Sequence, residues 1–501
     1  MSIARELDTL ESAQLISAVD AGYGLEYVFR HALVQDAAYE LLLKTERQQL
    51  HEKVGHALET LFPDRREDLA PVLAHHFEEA GSWASAIEYL TSAGMQALRR
   101  FAHREARDLL DRASVHVATH PLDADPRLRV QIGLARAQAG FSFVPFDATL
   151  ELLEATRELA ANLDEPALLA LLNLEIGRVR SGRGESYTTS PALRDALDVA
   201  LRLGDEIGDD RVRAEPLALI GSARLDAGDY SDAIAHFQQA LPIMESHQDL
   251  KGAALASGHL ARAYARIGNF DAARAAATHA MVMAERCGDP NVILDITIFQ
   301  GIVAADQGAL AEAIRLTSEG VRMADDVGNT YCSLVGNFYL GDQHLRIGDA
   351  AQALRLLQRS SDLAAFCDAS SMLSLSGAWI GAARARLGED AMDSFAPSLR
   401  HAEVIADEYG QGLILQLRAS AWARQPVPDW ARAAGDLEAA AERFERLGAV
   451  PALARSLADL GRAFGAMGEA DAAAGATARS EALAREIGLR LDPPSWPPAD
   501  T

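Results

Sequence analysis

Apolar residues return along most of this chain at the spacing of a helix face, with polar residues between them. Over Glu6–Ala18 the apolar set is Leu7, Leu10, Leu15 and Ile16, which predicts a helix. Gly22 and Gly24 then break the pattern, and Leu25, Tyr27 and Phe29 alternate as in a short strand. From Ala32 a long amphipathic stripe runs through Leu33, Ala37, Leu41, Leu50, Val54 and Leu58, with a break near Lys44 to Glu46, until Pro63 ends it. Three further helices follow over residues 68–117, and two helix pairs of irregular length occupy 127–163 and 165–208, interrupted by PFD at 145–147 and SGRGESYTTSP at 181–191.

From residue 211 the pattern becomes strictly periodic. A glycine recurs every forty residues, at Gly228, Gly268, Gly308, Gly348, Gly388 and Gly468, with Pro428 in the remaining place. Seven residues before each stands a small residue (Gly221, Ala261, Gly301, Gly341, Gly381, Ala421, Gly461). Five residues after most stands an alanine (Ala233, Ala273, Ala313, Ala353, Ala433, Ala473). Small residues let neighbouring helices approach closely, and a glycine supplies the positive φ that ends a helix. A second turn half a period away, at Gly208, Gly288, Gly328, Gly448 and Gly488, makes each unit helix, turn, helix, turn. Such units bury a core only by stacking, and the inner face of the stack holds partners.

In the first regular unit Leu217, Gly221, Gly228, Ala233, Phe237 and Ala240 fall at the offsets of the tetratricopeptide consensus, and the next gives Leu260, Ala261, Tyr264, Gly268, Ala273 and Ala280. The array resembles tetratricopeptide repeats. That resemblance implies an all-α fold, a right-handed superhelix of helix pairs with a concave groove. The segments YVFRHALVQDAAYELLLKTERQQLHEKVGHALE and LAHHFEEAGSWASAIEYLTSAGMQALRRFAHREARDLLDRA resemble the C-terminal half of bacterial regulators that join a nucleotide cyclase, a signal-transduction ATPase, a winged helix and tetratricopeptide repeats. By that resemblance residues 1–45 are a winged-helix remnant and His31 is the remnant of a nucleotide sensor. Residues 46–210 are then irregular repeats, 211–490 regular repeats and 491–501 a proline-rich disordered tail. No GxxxxGK[ST] loop and no cyclase domain accompany the match, so His31 has no nucleotide pocket beside it in this sequence.

Composition narrows the function. Hydrophobic residues make up 49% and aromatic ones only 6%, which suits close-packed helices. The net charge of −25 argues against nucleic acid and anionic membrane as general partners. Three cysteines, Cys287, Cys332 and Cys367, are too few and too widely spaced for a disulfide framework or a zinc site, and no apolar run resembles a signal peptide or a membrane span, so a cytoplasmic protein is expected.

No motif carries catalysis. HEKVGH places His51 and His56 five residues apart, on different helix faces, where a zinc pair needs four. His75 and Glu79 can share a face but lack a third ligand. SGRGESYTTS has the composition of an anion-wrapping loop and equally of a plain insertion, and no GxSxG elbow occurs. Neither a metal nor a cofactor is expected. The groove-facing offsets of the repeats select Arg262, Arg266, Asp306, Phe338, Asp342, Arg346, Arg386, Arg418, Trp422 and Arg462. Six of these are arginines, suited either to bidentate capture of carboxylates or phosphates or to pairing with acids on adjacent helices.

The sequence therefore predicts a non-enzymatic scaffold or sensor that binds a protein segment, or a small anionic effector, in its groove. A cyclase or ATPase subunit is one expected partner. Two other readings are the regulatory part of a truncated or split cyclase-ATPase, and a transcriptional regulator built on the winged-helix remnant.

Overall fold

The computed structural model describes residues 3–20 and 25–492. Gly22 and Gly24 of the expected break, and residues 493–501 of the expected tail, lie outside the described residues. The chain divides into two compact units, Met1–Ile132 and Gly133–Thr501.

In the first unit the helix Ile3–Ser12 is shorter than the expected Glu6–Ala18. Gln14 takes a left-handed φ of 58° and stops it. The next residues form a strand instead, Ile16–Asp20, paired antiparallel with Leu25–Phe29 in the register Ile16↔Phe29 and Ala18↔Tyr27. β-Branched Ile16 and Val19 favour the extended form over another helical turn. This strand pair stands where a winged-helix remnant was expected and does not by itself define a winged helix. The long stripe splits into Ala32–Glu40 and Lys44–Leu61, the second opened by the Glu46 carboxylate, which accepts the Leu43 N–H at 3.0 Å. Leu33 and Leu41 are 82% and 85% exposed, so the apolar stripe is not buried at this end. The unit's core lies further on, where Ala70–Ala80, Trp83–Arg99 and His103–Thr119 bury Leu73, Phe77, Ile87, Leu90 and Leu110. Phe77 stacks on Tyr89 at 5.6 Å.

The second unit is a tetratricopeptide-like α-solenoid. After Phe146–Ala160 and the pair Pro166–Arg183 and Pro191–Ile207, seven helix pairs run from Asp210 to Ile487 among the described residues. The first pair is Asp210–Asp226 with Tyr230–Ser246 and the last Val450–Met467 with Ala470–Ile487. The forty-residue glycines all lie at φ between 80° and 90°, where a side chain is strained. Side chains of Asp229, Asn269 and Asp349 accept the amides of Asp232, Ala272 and Gln352, which starts the second helices. The small residues make room for one position sixteen residues on. A Cβ at Gly221 would stand 3.0 Å from Phe237, at Gly341 2.6 Å from Leu357, and at Gly461 2.4 Å from Thr477. Ala233, Ala273, Ala313, Ala353 and Ala433 are fully buried. Where that alanine is replaced by Asp393, the second helix begins late and short, as Phe395–Val404.

The stack also meets itself. Leu447 comes to 3.0 Å from the place of a Cβ on Gly228, and Ile487 to 2.9 Å from that on Gly268. One core joins Leu217, Phe237 and Leu260 to Leu415, Leu437, Phe444 and Leu457, and another joins Ala261, Phe270 and Val303 to Ala454, Ala484 and Leu489. Helices about two hundred residues apart therefore share apolar cores.

Candidate functional site

The forty-residue period sets one charged residue at the end of each of five first helices. Asp210–Asp226, Leu250–Arg266, Pro290–Asp306, Thr330–Arg346 and Ser370–Arg386 end on Asp226, Arg266, Asp306, Arg346 and Arg386. A helix C-terminus carries partial negative charge, so arginine is favoured there and aspartate needs a cation. The structure supplies it. Arg262 lies 3.7 Å from Asp226, and Arg266 binds Asp306 at 2.9 Å. Arg346 and Arg386 reach back to the last carbonyls of the preceding first helix. Arg346 donates to the Ala305 carbonyl at 2.8 Å, and Arg386 donates to that of Leu345.

Four of these residues, Arg266, Asp306, Arg346 and Arg386, line a cavity of about 150 Å³ inside the second unit. Phe338, Asp342 and Arg462 line it as well. Trp379, its ring tilted against Phe338 with centroids 4.9 Å apart, donates its indole N–H to Asp342 at 2.8 Å. The Arg266 guanidinium sits 4.3 Å over the Tyr409 ring and also donates to its hydroxyl.

Arg262, Arg418 and Trp422 lie elsewhere. Arg262 packs over Phe299 and bonds to His259 at 3.1 Å. Arg418 forms a two-pronged pair with Asp436 at 2.7 and 2.8 Å, and Trp422 lies under Arg432. In the first unit His31 occupies the N-cap position of Ala32–Glu40, exposed and making no capping bond.

Sequence offsets missed most of the cavity lining, including Trp379 and four residues that carry or neighbour its charges. Arg455 donates to the Ala305 and Asp306 carbonyls, Asp459 pairs with Arg462, Tyr409 carries Arg266, and Asp492 enters from beyond the last helix. Arg455 has leucine and valine at its forty-residue equivalents, Leu415, Leu375 and Val335, so no periodic signal marks it. The line Asp226, Arg266, Asp306, Arg346, Arg386 was such a signal.

Five arginines and four aspartates thus line the cavity: Arg266, Arg346, Arg386, Arg455 and Arg462 with Asp306, Asp342, Asp459 and Asp492. Burial pushes the Asp459 carboxyl up to about 6 despite Arg462. Burial likewise raises Asp342, with Arg346 opposing. Burial also acts to raise Asp492, but Arg346 and Arg455 outweigh it and hold that carboxyl below its ordinary range. Arg386 is brought down to about 10, first by burial and then by Arg424 beside it. Among the described residues Arg386 pairs with no carboxylate. Buried Asp306 Oδ2, Gln343 Oε1, Arg386 Nε and Ser420 Oγ make no hydrogen bond among the described residues. These polar atoms and surplus cations suit a carboxylate or amide-rich ligand.

The other sequence candidates have their own partners. His56 bonds to Glu59 at 2.8 Å, while His51 turns to His76 at 2.9 Å with His75 beside it. Among the described residues no cluster of His, Cys, Asp or Glu side chains is placed to hold a metal ion. In the SGRGESYTTS loop Tyr187 donates to Asp198 at 2.8 Å and the Gly184 carbonyl accepts the Ser371 hydroxyl at 2.7 Å. No described helix is long and apolar enough to cross a membrane.

Solved structures that this chain resembles are tetratricopeptide-like helical-repeat proteins. A Rap protein complexed with competence and sporulation factor matches 73% of the chain over 99% of its own length, at 13% identity and a TM-score of 0.53. A signal-transduction ATPase with a tetratricopeptide repeat sensor from Pyrococcus horikoshii matches 76% of the chain over 53% of its own length, at 14% identity and a TM-score of 0.39. The Cut9 and Hcn1 assembly of the APC/C matches 90% over 89%, at 17% and 0.46. By sequence, an uncharacterised protein of Rhizobium meliloti (strain 1021) is 29% identical over 117 residues, which is 22% of this chain and 11% of that protein's length. No protein-family model matches the chain.

Proposed function

We propose that this chain is a non-catalytic helical-repeat scaffold that takes a segment of a partner protein into its arginine-lined interior, in cytoplasmic signalling of a bacterial kind. The observation that carries the reading is the cavity where five arginines meet four aspartates in a chain of net charge −25. That local inversion of sign, with Arg386 lacking a carboxylate, suits an acidic guest. A Rap protein of similar fold has been solved in complex with competence and sporulation factor, which supports a binding role for such a fold. In this reading Arg386 and Arg346 bind the guest, Trp379 and Phe338 give it an apolar wall, and Asp342 and Asp306 set its register.

The test is capture from the source cell's lysate by the full chain, with Arg386→Ala as the control and mass spectrometry as the readout. A protein recovered by the wild type and lost with the variant supports the reading. The same proteins recovered by both overturn it. Loss of a bound small anion alone, seen by native mass spectrometry, turns the reading toward an effector sensor.

A second proposal rests on the match to a much longer Rhizobium protein. In that reading the chain is the regulatory part of a larger or split assembly, with a cyclase or ATPase as its partner. An open reading frame continuous with a P-loop domain at the locus supports it, and stop codons there overturn it.

A further inference from the structure

Beyond the last helix the chain turns into the interior. Gly488 caps Ala470–Ile487 in the left-handed conformation at φ 67°, and the Leu489 N–H closes the cap on the Ala484 carbonyl at 2.9 Å. The Arg490 N–H then donates to the Gln307 carbonyl at 3.1 Å, a main-chain bond to the turn between Pro290–Asp306 and Leu310–Val327. Its carbonyl lies 1.9 Å from where a Cβ on Gly308 would stand, an approach that only glycine permits. Leu489 is buried with Ala454 and Ala484, and Leu491 packs on the same cluster. Asp492 ends the run as the acid of a two-pronged pair with Arg346, at 2.7 and 2.8 Å, with Arg455 3.5 Å away.

Every element of peptide recognition is here in one short stretch: a main-chain bond, an apolar anchor and a forked arginine on a carboxylate. Yet Asp492 is supplied by the chain itself. With the segment withdrawn, the cavity keeps five arginines against three aspartates, and Arg346 and Arg455 lose the carboxylate they share. From this we infer that Leu489–Asp492 is a built-in occupant of the guest site. The natural partner is an extended acidic peptide that places a carboxylate on Arg346 and a leucine just before it, and binds by displacing this segment. The inference rests on the proposal that the interior binds a protein segment, and adds which chemistry it takes and what competes. A tethered occupant acts at an effective concentration in the millimolar range, so it weakens an incoming peptide without any further contact.

The probe is a fluorescent peptide of residues 487–492, amidated at its end so that the Asp492 side chain is its only carboxylate, titrated by anisotropy into the full chain. The Asp492→Asn chain should bind it about tenfold more tightly than the wild type, because its tethered competitor is weakened. A probe with asparagine in place of the aspartate should bind that chain about tenfold less tightly, and Arg346→Ala should abolish binding with helicity by circular dichroism unchanged. If Asp492→Asn unfolds the chain, Leu491→Ala weakens the same segment and takes its place. Equal affinity of the probe for wild type and variant, or equal affinity of the probe and its asparagine form, overturns the inference. Random displayed peptides panned on the Asp492→Asn chain separate the two readings. Enriched peptides without an acid, lost with Arg386→Ala, overturn this inference and leave the scaffold reading standing. No enrichment and no probe binding overturn both.

Discussion

Asp492 lies 146 residues beyond Arg346 in the chain and 2.7 Å from it in space. The pair joins the end of the array to its fourth repeat and sits inside the cavity whose surplus of arginine suggests a guest.

The Arg266 and Asp306 pair should matter more than any surface pair. Both side chains are nearly buried, so Arg266→Ala strands an acid and strips Tyr409 of its cation. Loss of one partner of such a pair costs about 3 kcal/mol. The exposed Arg322, paired with Glu319 and Asp326, should cost far less on the same change, because water and salt screen both charges. Urea unfolding followed by circular dichroism compares them, and similar losses would remove the distinction.

Gly308 and Gly348 hold the same turn at φ 80° and 90°. Alanine at either should cost about 1 kcal/mol for the left-handed backbone. Only at Gly308 does the new Cβ meet a carbonyl, that of Arg490, whereas nothing stands within 4 Å of Gly348. Hydrogen exchange at Leu489 to Asp492 should therefore rise in Gly308→Ala and stay as in the wild type in Gly348→Ala.

Much of this architecture is written in the sequence. The glycines at the turns, the small residues that admit Phe237 or Leu357, and the aspartates that start second helices all act within a repeat or against the next one, so they recur at a fixed interval. The closure of the stack leaves no such trace. Ile487 against Gly268 and Asp492 against Arg346 are single contacts between distant repeats, and Arg455 is charged where its equivalents are apolar. The cavity was therefore legible only in part: Arg266, Asp306, Arg346 and Arg386 recur, while Tyr409, Arg455, Asp459 and Asp492 do not. At the other end, Ile16 to Ala18 fit a helix face in sequence but pair as a strand, because Gln14 has already ended the helix.

The first unit should lose stability in mild acid. His51 is held below its ordinary range by burial and then by His75, and His76 by burial and then by His51. The folded state therefore resists protons that the unfolded chain accepts. The stability is present above the unfolded histidine value of about 6.5 and falls as pH drops below it. Glu59, lowered by Tyr89 and His56 against the effect of burial, acts in the same direction only at lower pH. Protection of the Leu73 to Phe77 amides, taken against the intrinsic exchange rate at each pH, should fall between about pH 7.5 and 5.5, and His51→Gln should flatten that slope. A slope unchanged in the variant would assign the effect elsewhere.

Cysteine labelling should be selective. The Cys332 thiol is buried, donates to Asp295 at 3.0 Å and is raised far above its ordinary range by burial and by that acid, and burial brings Cys367 up to about 11. Cys287 is partly exposed at a helix end. Iodoacetamide should modify Cys287 alone in the native protein, read by mass spectrometry. Early labelling of Cys332 would show that its helix opens.

An open stack of repeats can gain or lose a unit in evolution, because each unit touches only its neighbours. Here Leu447 on Gly228, Ile487 on Gly268 and Arg490 on Gly308 fasten three late positions to three early turns, each at its own place. Removing forty residues from the middle would slide all three fastenings off their glycines at once and carry Arg346 away from Asp492. The number of repeats is thus fixed by the way the stack locks onto itself, as the number of links is fixed in a closed chain.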